Sequence, residues 1–213
     1  MAEMSFKASA YNGEALTCNV QEGNTVGSLT GTQRSIIIGS LLGDGAMRCK
    51  VNALLEINHT YEQKFYVDWK YQHLSNLVAT PPKVRKGNGA RIAYRFTTQS
   101  LPELTPFYLW FYSGERKAVP KDLVLDPLSL AVWFMDDGCK SYRALYLNTQ
   151  AFDIDSQMKL VHYLSDQWGI KATLNRDKQY FRIRIAVMSV SNFKEIVSPY
   201  MLSQFGYKFP MTP

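Results

Sequence analysis

No apolar run in the sequence approaches the roughly 18 to 20 residues that a membrane-spanning helix needs. The N-terminus also lacks a basic start followed by an apolar block. Neither a membrane span nor a secretory signal is readable, so no membrane partner is expected. Cysteine and histidine are scarce too. Cys18, Cys49 and Cys139 are odd in number and far apart, a spacing that suggests neither a zinc site nor a disulfide framework. Free thiols in a reducing, intracellular compartment are expected. His59, His73 and His162 are equally scattered, which argues against a histidine-ligated metal.

What is present is a folded chain of 213 residues with 46% hydrophobic content and a net charge of +6, long enough for one large domain or two small ones. The charge is uneven. Residues 1–33 carry Glu3, Glu14 and Glu22 against Lys7 alone, so the basic character belongs to the remainder. A basic domain rich in tyrosine and tryptophan suits a polyanionic partner, and nucleic acid is the usual one.

The organising stretch is LSLAVWFMDDG, residues 128–138. It is an apolar run that ends abruptly in two carboxylates and a glycine. An aspartate at a helix C-terminus meets the negative end of the helix dipole, so its charge is disfavoured unless a cation offsets it. A simple Asp-Gly turn would explain one such ending, but residues 37–45, IIGSLLGDG, run apolar and small residues into Asp44-Gly45 again.

In chain order, residues 1–31 are rich in Gly, Ser, Thr and Asn and read as an extended or disordered arm. Thr32 is the expected cap of a helix over Gln33–Gly43, whose Ile36, Ile37, Ile38, Leu41 and Leu42 leave almost no polar surface. Gly39 and Gly43 make one strip of it nearly flat. Period-two alternation then predicts a hairpin with Arg48, Lys50 and Asn52 opposite Met47, Cys49 and Val51, and a second strand through Leu55 and Ile57. A helix over Tyr61–Val78, a strand pair around the turn Gly87-Asn88-Gly89, and a helix over Leu101–Tyr112 complete the half, which Lys117 to Pro120 closes.

The second half repeats the order. Asp126 caps a helix with Pro127 at its first position. A hairpin follows from Lys140, with its second strand over Ala144–Gln150. Asp153 or Asp155 opens a helix to Trp168, strands follow over Lys171–Arg176 and Tyr180–Val187, and Ser189–Tyr200 is the last helix. Asp44 and Lys117 are 73 positions apart, Asp137 and Lys208 are 71. This is a duplication, with halves at 32–120 and 121–213. Neither motif helix can stand alone in water, so packing them together about a pseudo-twofold axis brings Asp44 and Asp137 to one end. The expected fold class is α+β: two pseudo-symmetric αββαββα units forming an antiparallel sheet saddle.

With both motifs at this spacing, the chain resembles the single-chain LAGLIDADG homing endonucleases, in the branch whose second copy reads WFMDDG. The resemblance covers about residues 32–210. It implies metal-dependent cleavage of both DNA strands across the minor groove, leaving short 3′ overhangs. It places the catalytic acids at Asp44 and Asp137, metal-binding backbone carbonyls at Gly43 and Asp136, and active-centre basic residues at Lys117 and Lys208. Two departures stand out: the third motif position, normally glycine, is Val132 in the second copy, and the sixth is Leu42 or Met135. The implied cofactor is Mg²⁺, with Mn²⁺ able to substitute, and the implied state is a monomer. An intron RNA maturase on the same fold, with or without cleavage, is the alternative, which adds the host intron RNA as a second candidate partner. The implied setting is an organelle matrix or stroma, or a prokaryotic cytoplasm.

Phosphodiester cleavage needs charge neutralisation on a non-bridging oxygen, an activated water and help for the departing 3′ oxygen. Carboxylates at adjacent helix ends supply the hard oxygen ligands that Mg²⁺ prefers. No histidine is matched in both halves, so water activated by the cation is expected in place of an obligatory side-chain base. Lys117 and Lys208 would stabilise the pentacovalent charge or orient that solvent. Alternating Arg and apolar residues also mark any sheet with one wet face, but here basic residues recur in corresponding strands. The DNA-contact candidates are Arg48, Lys50, Asn52, Lys83, Arg85, Lys86, Arg91 and Arg95 in the first half. In the second they are Lys140, Asn148, Gln150, Lys171, Thr173, Asn175, Tyr180, Arg182 and Arg184. A nine-residue strand rises roughly 30 Å, close to one duplex turn of about 34 Å, so two sheets predict a target on the order of 20 base pairs.

Overall fold

The computed structural model describes residues 29–87 and 92–210. The expected N-terminal arm, except for its last residues, lies outside the described residues, as do Cys18, Asn88, Gly89 and Arg91. The first half runs α1 (Gly31–Leu42), β1 (Ala46–Cys49), β2 (Ala53–Thr60), α2 (Lys64–Leu74), β3 (Lys83–Lys86), β4 (Ile92–Thr97) and α3 (Thr105–Phe111). A small hairpin, β5 (Tyr112–Ser113) and β6 (Arg116–Lys117), follows. The second half runs α4 (Pro127–Asp137), β7 (Gly138–Ser141), β8 (Ala144–Leu147), α5 (Ile154–Trp168), β9 (Ala172–Asp177), β10 (Tyr180–Ile185) and α6 (Val190–Val197). The αββαββα order appears twice. Both sheets are antiparallel and share one topology, β1-β2-β4-β3 and β7-β8-β10-β9. No described helix is long and apolar enough to cross a membrane.

The motif helices start where their caps dictate. Asp126 accepts from the Ser129 N–H, with Pro127 leading α4, as the sequence predicts. For α1 the cap is Thr30 and not Thr32. The Thr30 hydroxyl accepts from the Gln33 N–H and the Gln33 side chain returns to the Thr30 N–H, a reciprocal capping box. The helix therefore begins at Gly31, one residue before the expected boundary of the first half. In α5 Asp153 is the cap, and Gly169 ends the helix at φ 62°.

The two motif helices pack side by side and run in the same direction. Ser35 on α1 donates to Asp126 at the start of α4, Gly39 lies against Ser129 and Val132, and Gly43 lies against Asp136. Residues 130–135 of α4, Leu-Ala-Val-Trp-Phe-Met, are each 0% exposed, as are Ile36, Ile37 and Leu41 of α1. Each large apolar side chain buried this way is worth about 1.5–3 kcal/mol, so the helix pair is the centre of the core. A Cβ on Gly39 would lie 2.5 Å from the Ser129 carbonyl oxygen and 2.6 Å from Val132 Cβ. Val132 thus does not hold the helices apart. It fills the space that Gly39 leaves.

Two strand expectations change. The first hairpin turns over residues 50–52, so Lys50 and Asn52 sit in the turn and Val51 is 66% exposed instead of facing the core. The strand expected over Ala144–Gln150 ends at Leu147, with all four of its residues buried.

Candidate active site

Both acids stand at the C-terminal ends of the paired helices, Asp44 just beyond α1 and Asp137 as the last residue of α4. The elements that follow each half return a lysine to that end. The β5–β6 hairpin turns through Gly114 at φ 62° and pairs Lys117 with Tyr112. The Tyr112 hydroxyl accepts from the Met47 N–H at 2.9 Å and ties the hairpin to β1. Lys117 Nζ donates to the Gly43 carbonyl at 3.0 Å and also to that of Gly45. Lys208, at the end of a 3-10 segment over Ser203–Lys208, donates to the carbonyls of Phe134 (3.3 Å), Met135 (2.6 Å) and Asp136 (3.2 Å). Each lysine places its ammonium at the C-terminal end of a motif helix, the negative end of the dipole, although the Phe134 carbonyl also accepts from the Gly138 N–H. The carbonyls expected to serve a metal, those of Gly43 and Asp136, are therefore both engaged by lysine, although each keeps a second lone pair.

The charges crowd one another. Burial first, then Asp44 and Asp136, push the Asp137 carboxyl up to about 8. Asp44, with a side chain 48% exposed, is raised in the same direction by burial and by Asp136. Burial lowers Lys117 to about 8 and lowers Lys208 as well. Asp137 holds its charge poorly despite the lysines present, which is the condition a bound cation relieves. A hard divalent ion fits the oxygen donors converging here: the Asp44 and Asp137 carboxylates and the free lone pairs of the two carbonyls.

Two site residues have no sequence signature of their own. His59 on β2 is buried, with Nδ1 3.5 Å from Asp44 Oδ2 and Nε2 3.8 Å from Asp136 Oδ1. The scatter of histidines along the chain gave no hint of this. Burial, then Lys70, lower its pKa to about 4, so it is neutral at pH 7. Lys70 on α2 is paired with the Asp136 carboxylate at 2.8 and 3.0 Å, and its Nζ lies 4.4 Å from the centroid of the Tyr66 ring. Asp44, His59 and Asp136 offer donor atoms within 4.8 Å of one another. That trio is a poor cation cage, because the Lys70 ammonium already neutralises Asp136 and repels a second cation. The Asp136 side chain, 0% exposed, is thus a structural partner, distinct from its backbone carbonyl.

The sheet registers sort the DNA-contact candidates. Arg48 shares a face with Leu54, and Asn58 with Arg95; Lys83 and Arg85 stand opposite Arg95 and Ala93 on that same face. Lys86 pairs with Ile92, on the face of the core residue Tyr94, so it does not join the other basic residues. The face also carries Glu56, which accepts from Arg48 and lies 3.5 Å from Arg95. In the second sheet Tyr180, Arg182 and Arg184 share a face with Thr173 and Asn175, and Lys171, just before β9, continues it. Arg182 sits 4.1 Å over the Tyr146 ring and donates to Asn148, while Asn175 donates to the Tyr146 hydroxyl. Gln150 is spent on Asp177 at 2.8 Å. Lys140 pairs with Leu145, which pairs with Ile185, so it lies on the core side of an edge strand and not beside the arginines.

A family model for the LAGLIDADG DNA endonuclease family matches residues 34–193. Among curated relatives, the chain is 28% identical to a cytochrome b mRNA maturase bI2 of Saccharomyces cerevisiae, over 87% of the chain and 49% of that protein. It is 30% identical to a RecA protein of Mycobacterium gastri, over 84% of the chain and 47% of that protein. The chain therefore spans about half the length of these two. A probable intron-encoded endonuclease 1 of Wickerhamomyces canadensis is 26% identical, with 85% of each covered. In fold, the chain matches the homing endonuclease I-WcaI, solved bound to its DNA recognition sequence, with a TM-score of 0.81 at 24% identity over 88% of the chain and 89% of that structure. I-DmoI, solved with DNA and Ca, matches with a TM-score of 0.51 at 13% identity over 78% and 88%. The duplicated helices, the doubled sheet topology and the family match agree: the chain belongs to the LAGLIDADG DNA endonuclease family.

Proposed function

We propose that this chain is a site-specific, divalent-metal-dependent homing endonuclease that breaks both strands of a DNA target of about 20 base pairs, leaving short 3′ overhangs. The observation that carries the reading is the meeting of Asp44 and Asp137 at one end of a buried helix pair, each with a lysine anchored on the carbonyls beside it. Asp44, Asp137 and the carbonyls of Gly43 and Asp136 would hold Mg²⁺, with Mn²⁺ able to replace it. The bound ion would supply charge neutralisation and lower the pKa of attacking water. Lys117 and Lys208 fix the helix ends and place positive charge where the phosphorane charge develops. Arg48, Lys83, Arg85 and Arg95 on one sheet, and Lys171, Arg182 and Arg184 on the other, hold phosphates and read base edges. The chain would act as a monomer of the WFMDDG branch, with its halves as the two half-site readers.

Changing Asp44→Asn or Asp137→Asn is expected to abolish double-strand cleavage in Mg²⁺ while target binding in Ca²⁺ is kept. Full cleavage by the double variant would reject the assignment. The 28% identity to a protein named an mRNA maturase supports a second reading, intron RNA binding on the same fold. Splicing assistance that survives Asp44→Asn would favour it.

A further inference from the structure

Lys70 is 0% exposed, and an ammonium taken from water costs several kcal/mol unless it is closely paired. Its partner, the equally buried Asp136 carboxylate, does more than neutralise it. Asp136 Oδ2 also accepts from the Asp44 backbone N–H at 3.3 Å. The same oxygen lies 2.7 Å from where a Cβ of Gly43 would be, so the absence of a side chain at Gly43 is what admits the carboxylate. It is therefore clamped between Lys70 and the Gly43-Asp44 turn. His59 Nδ1 lies 3.5 Å from the Asp44 carboxylate, close to it but without a hydrogen bond. The contact is one-sided: the motif position that carries Asp136 in α4 is Gly43 in α1, so the first motif has no side chain there to act on Asp137.

We propose that Lys70 is a positioning residue, which through the Asp136 carboxylate fixes the Gly43-Asp44 turn and so the aim of the Asp44 carboxylate, while Asp137 is set by α4 itself. This rests on the nuclease reading for its consequence, since a fixed Asp44 matters to catalysis only if Asp44 serves the reaction. A pair that merely stabilised the core would have no need of the Asp44 N–H.

The test replaces the pair in two ways. Lys70→Met with Asp136→Leu exchanges a buried ion pair for apolar side chains, a change that commonly leaves stability equal or higher. Lys70→Gln with Asp136→Asn keeps a neutral hydrogen-bonded pair and an acceptor for the Asp44 N–H. The first readout is hydrogen exchange of the Asp44 amide by NMR, in metal-free protein without DNA. Protection is expected to fall roughly tenfold in the Met–Leu variant and to stay within about threefold of wild type in the Gln–Asn variant. The second is single-turnover cleavage in Mg²⁺ of a duplex labelled on each strand. The Met–Leu variant should slow one strand, the one that Asp44→Asn slows more, by at least about tenfold relative to the other. Wild-type Asp44 protection in the Met–Leu variant, or equal slowing of both strands, would overturn the proposal. So would a Gln–Asn variant that behaves no better than the Met–Leu one. If the Met–Leu variant fails to fold, an unprotected Asp44 amide in folded Gln–Asn protein overturns it and a protected one supports it. If wild-type protein cuts no DNA, the nuclease reading fails, and amide exchange still decides whether Lys70 fixes the turn.

Discussion

Substituting Gly39→Ala tests the closeness of the helix pair most directly. The added methyl would meet the Ser129 carbonyl oxygen at 2.5 Å and Val132 Cβ at 2.6 Å. The first obstacle is backbone, which cannot rotate away. To bring that oxygen to an ordinary contact of 3.4 Å, α1 and α4 must separate locally by about 1 Å, and a gap of that size forfeits roughly a quarter to a half of the dispersion energy of the atoms it parts. Overpacking of this kind costs about 1–3 kcal/mol, and the backbone obstacle puts Gly39 toward the upper end. Alanine returns up to about 1 kcal/mol through helix propensity. The net is a loss of about 2 kcal/mol, or a melting temperature lower by about 4–8 °C for a chain of this size. Urea and thermal unfolding of purified protein measure it. Gly31→Ala, where a Cβ would meet nothing within 4 Å, is the control and should be neutral or slightly stabilising. Adding Val132→Ala removes only one obstructing atom, its Cγ1 at 2.9 Å, and leaves both Val132 Cβ and the Ser129 oxygen in place, so it should recover less than half of the loss. A Gly39→Ala protein that melts at or above wild type would refute the packing argument.

Other expectations concern charge. A carboxyl raised in the folded state binds its proton more tightly than in the unfolded chain, so Asp137 contributes stability that is present below its unfolded pKa near 4 and is lost as pH rises toward about 8. In EDTA the melting temperature should therefore fall from pH 6.5 to pH 8; below that range His59, held neutral in the fold, opposes the trend by binding a proton only in the unfolded chain. Divalent ion should restore more at pH 8 than at pH 5, and an ion effect equal at both would contradict this. Lys208→Ala strips the shared donor from the Phe134, Met135 and Asp136 carbonyls and should cost about 1–3 kcal/mol in urea unfolding. Lys117→Ala, which frees two carbonyls, should cost less. On the sheets, Lys83→Ala and Arg85→Ala should each lower the salt dependence of target binding by about one charge. Lys86→Ala and Lys140→Ala, whose registers turn them away, should leave affinity within about twofold in the same titrations.

The duplication was legible because two apolar helices ending in Asp-Gly have few explanations, and Asp126-Pro127 marked the start of α4 without ambiguity. The start of α1 was harder. Its apolar residues surround the helix, so periodicity cannot locate its first turn, and only the Thr30/Gln33 capping box does. The strand faces were read from alternation, which says which residues share a side within a strand but not which side an edge strand presents to its neighbour. Lys86 adjoins Arg85, so alternation alone puts the two on opposite faces, whereas Lys140 opens a strand whose register against Leu145 only the fold reveals. Lys70 and His59 have no like residue at the corresponding positions of the second half, so the repeat does not point to them. Lys70 also looks like an ordinary wet lysine of an amphipathic helix. Its burial depends on Asp136, 66 residues away, a pairing that only the packed fold creates.

The seats at Gly39 and Gly43 make the two halves a knob and a socket instead of interchangeable copies. An assembly of two second halves would drive valine into valine and one Asp136 carboxylate against another. Two first halves would leave glycine facing glycine across an empty seam, each with a Lys70 stranded without counter-charge. Only unlike halves can dock, so joining them in one chain guarantees the correct partner, and with it a charged centre at the helix ends that can never be strictly symmetric.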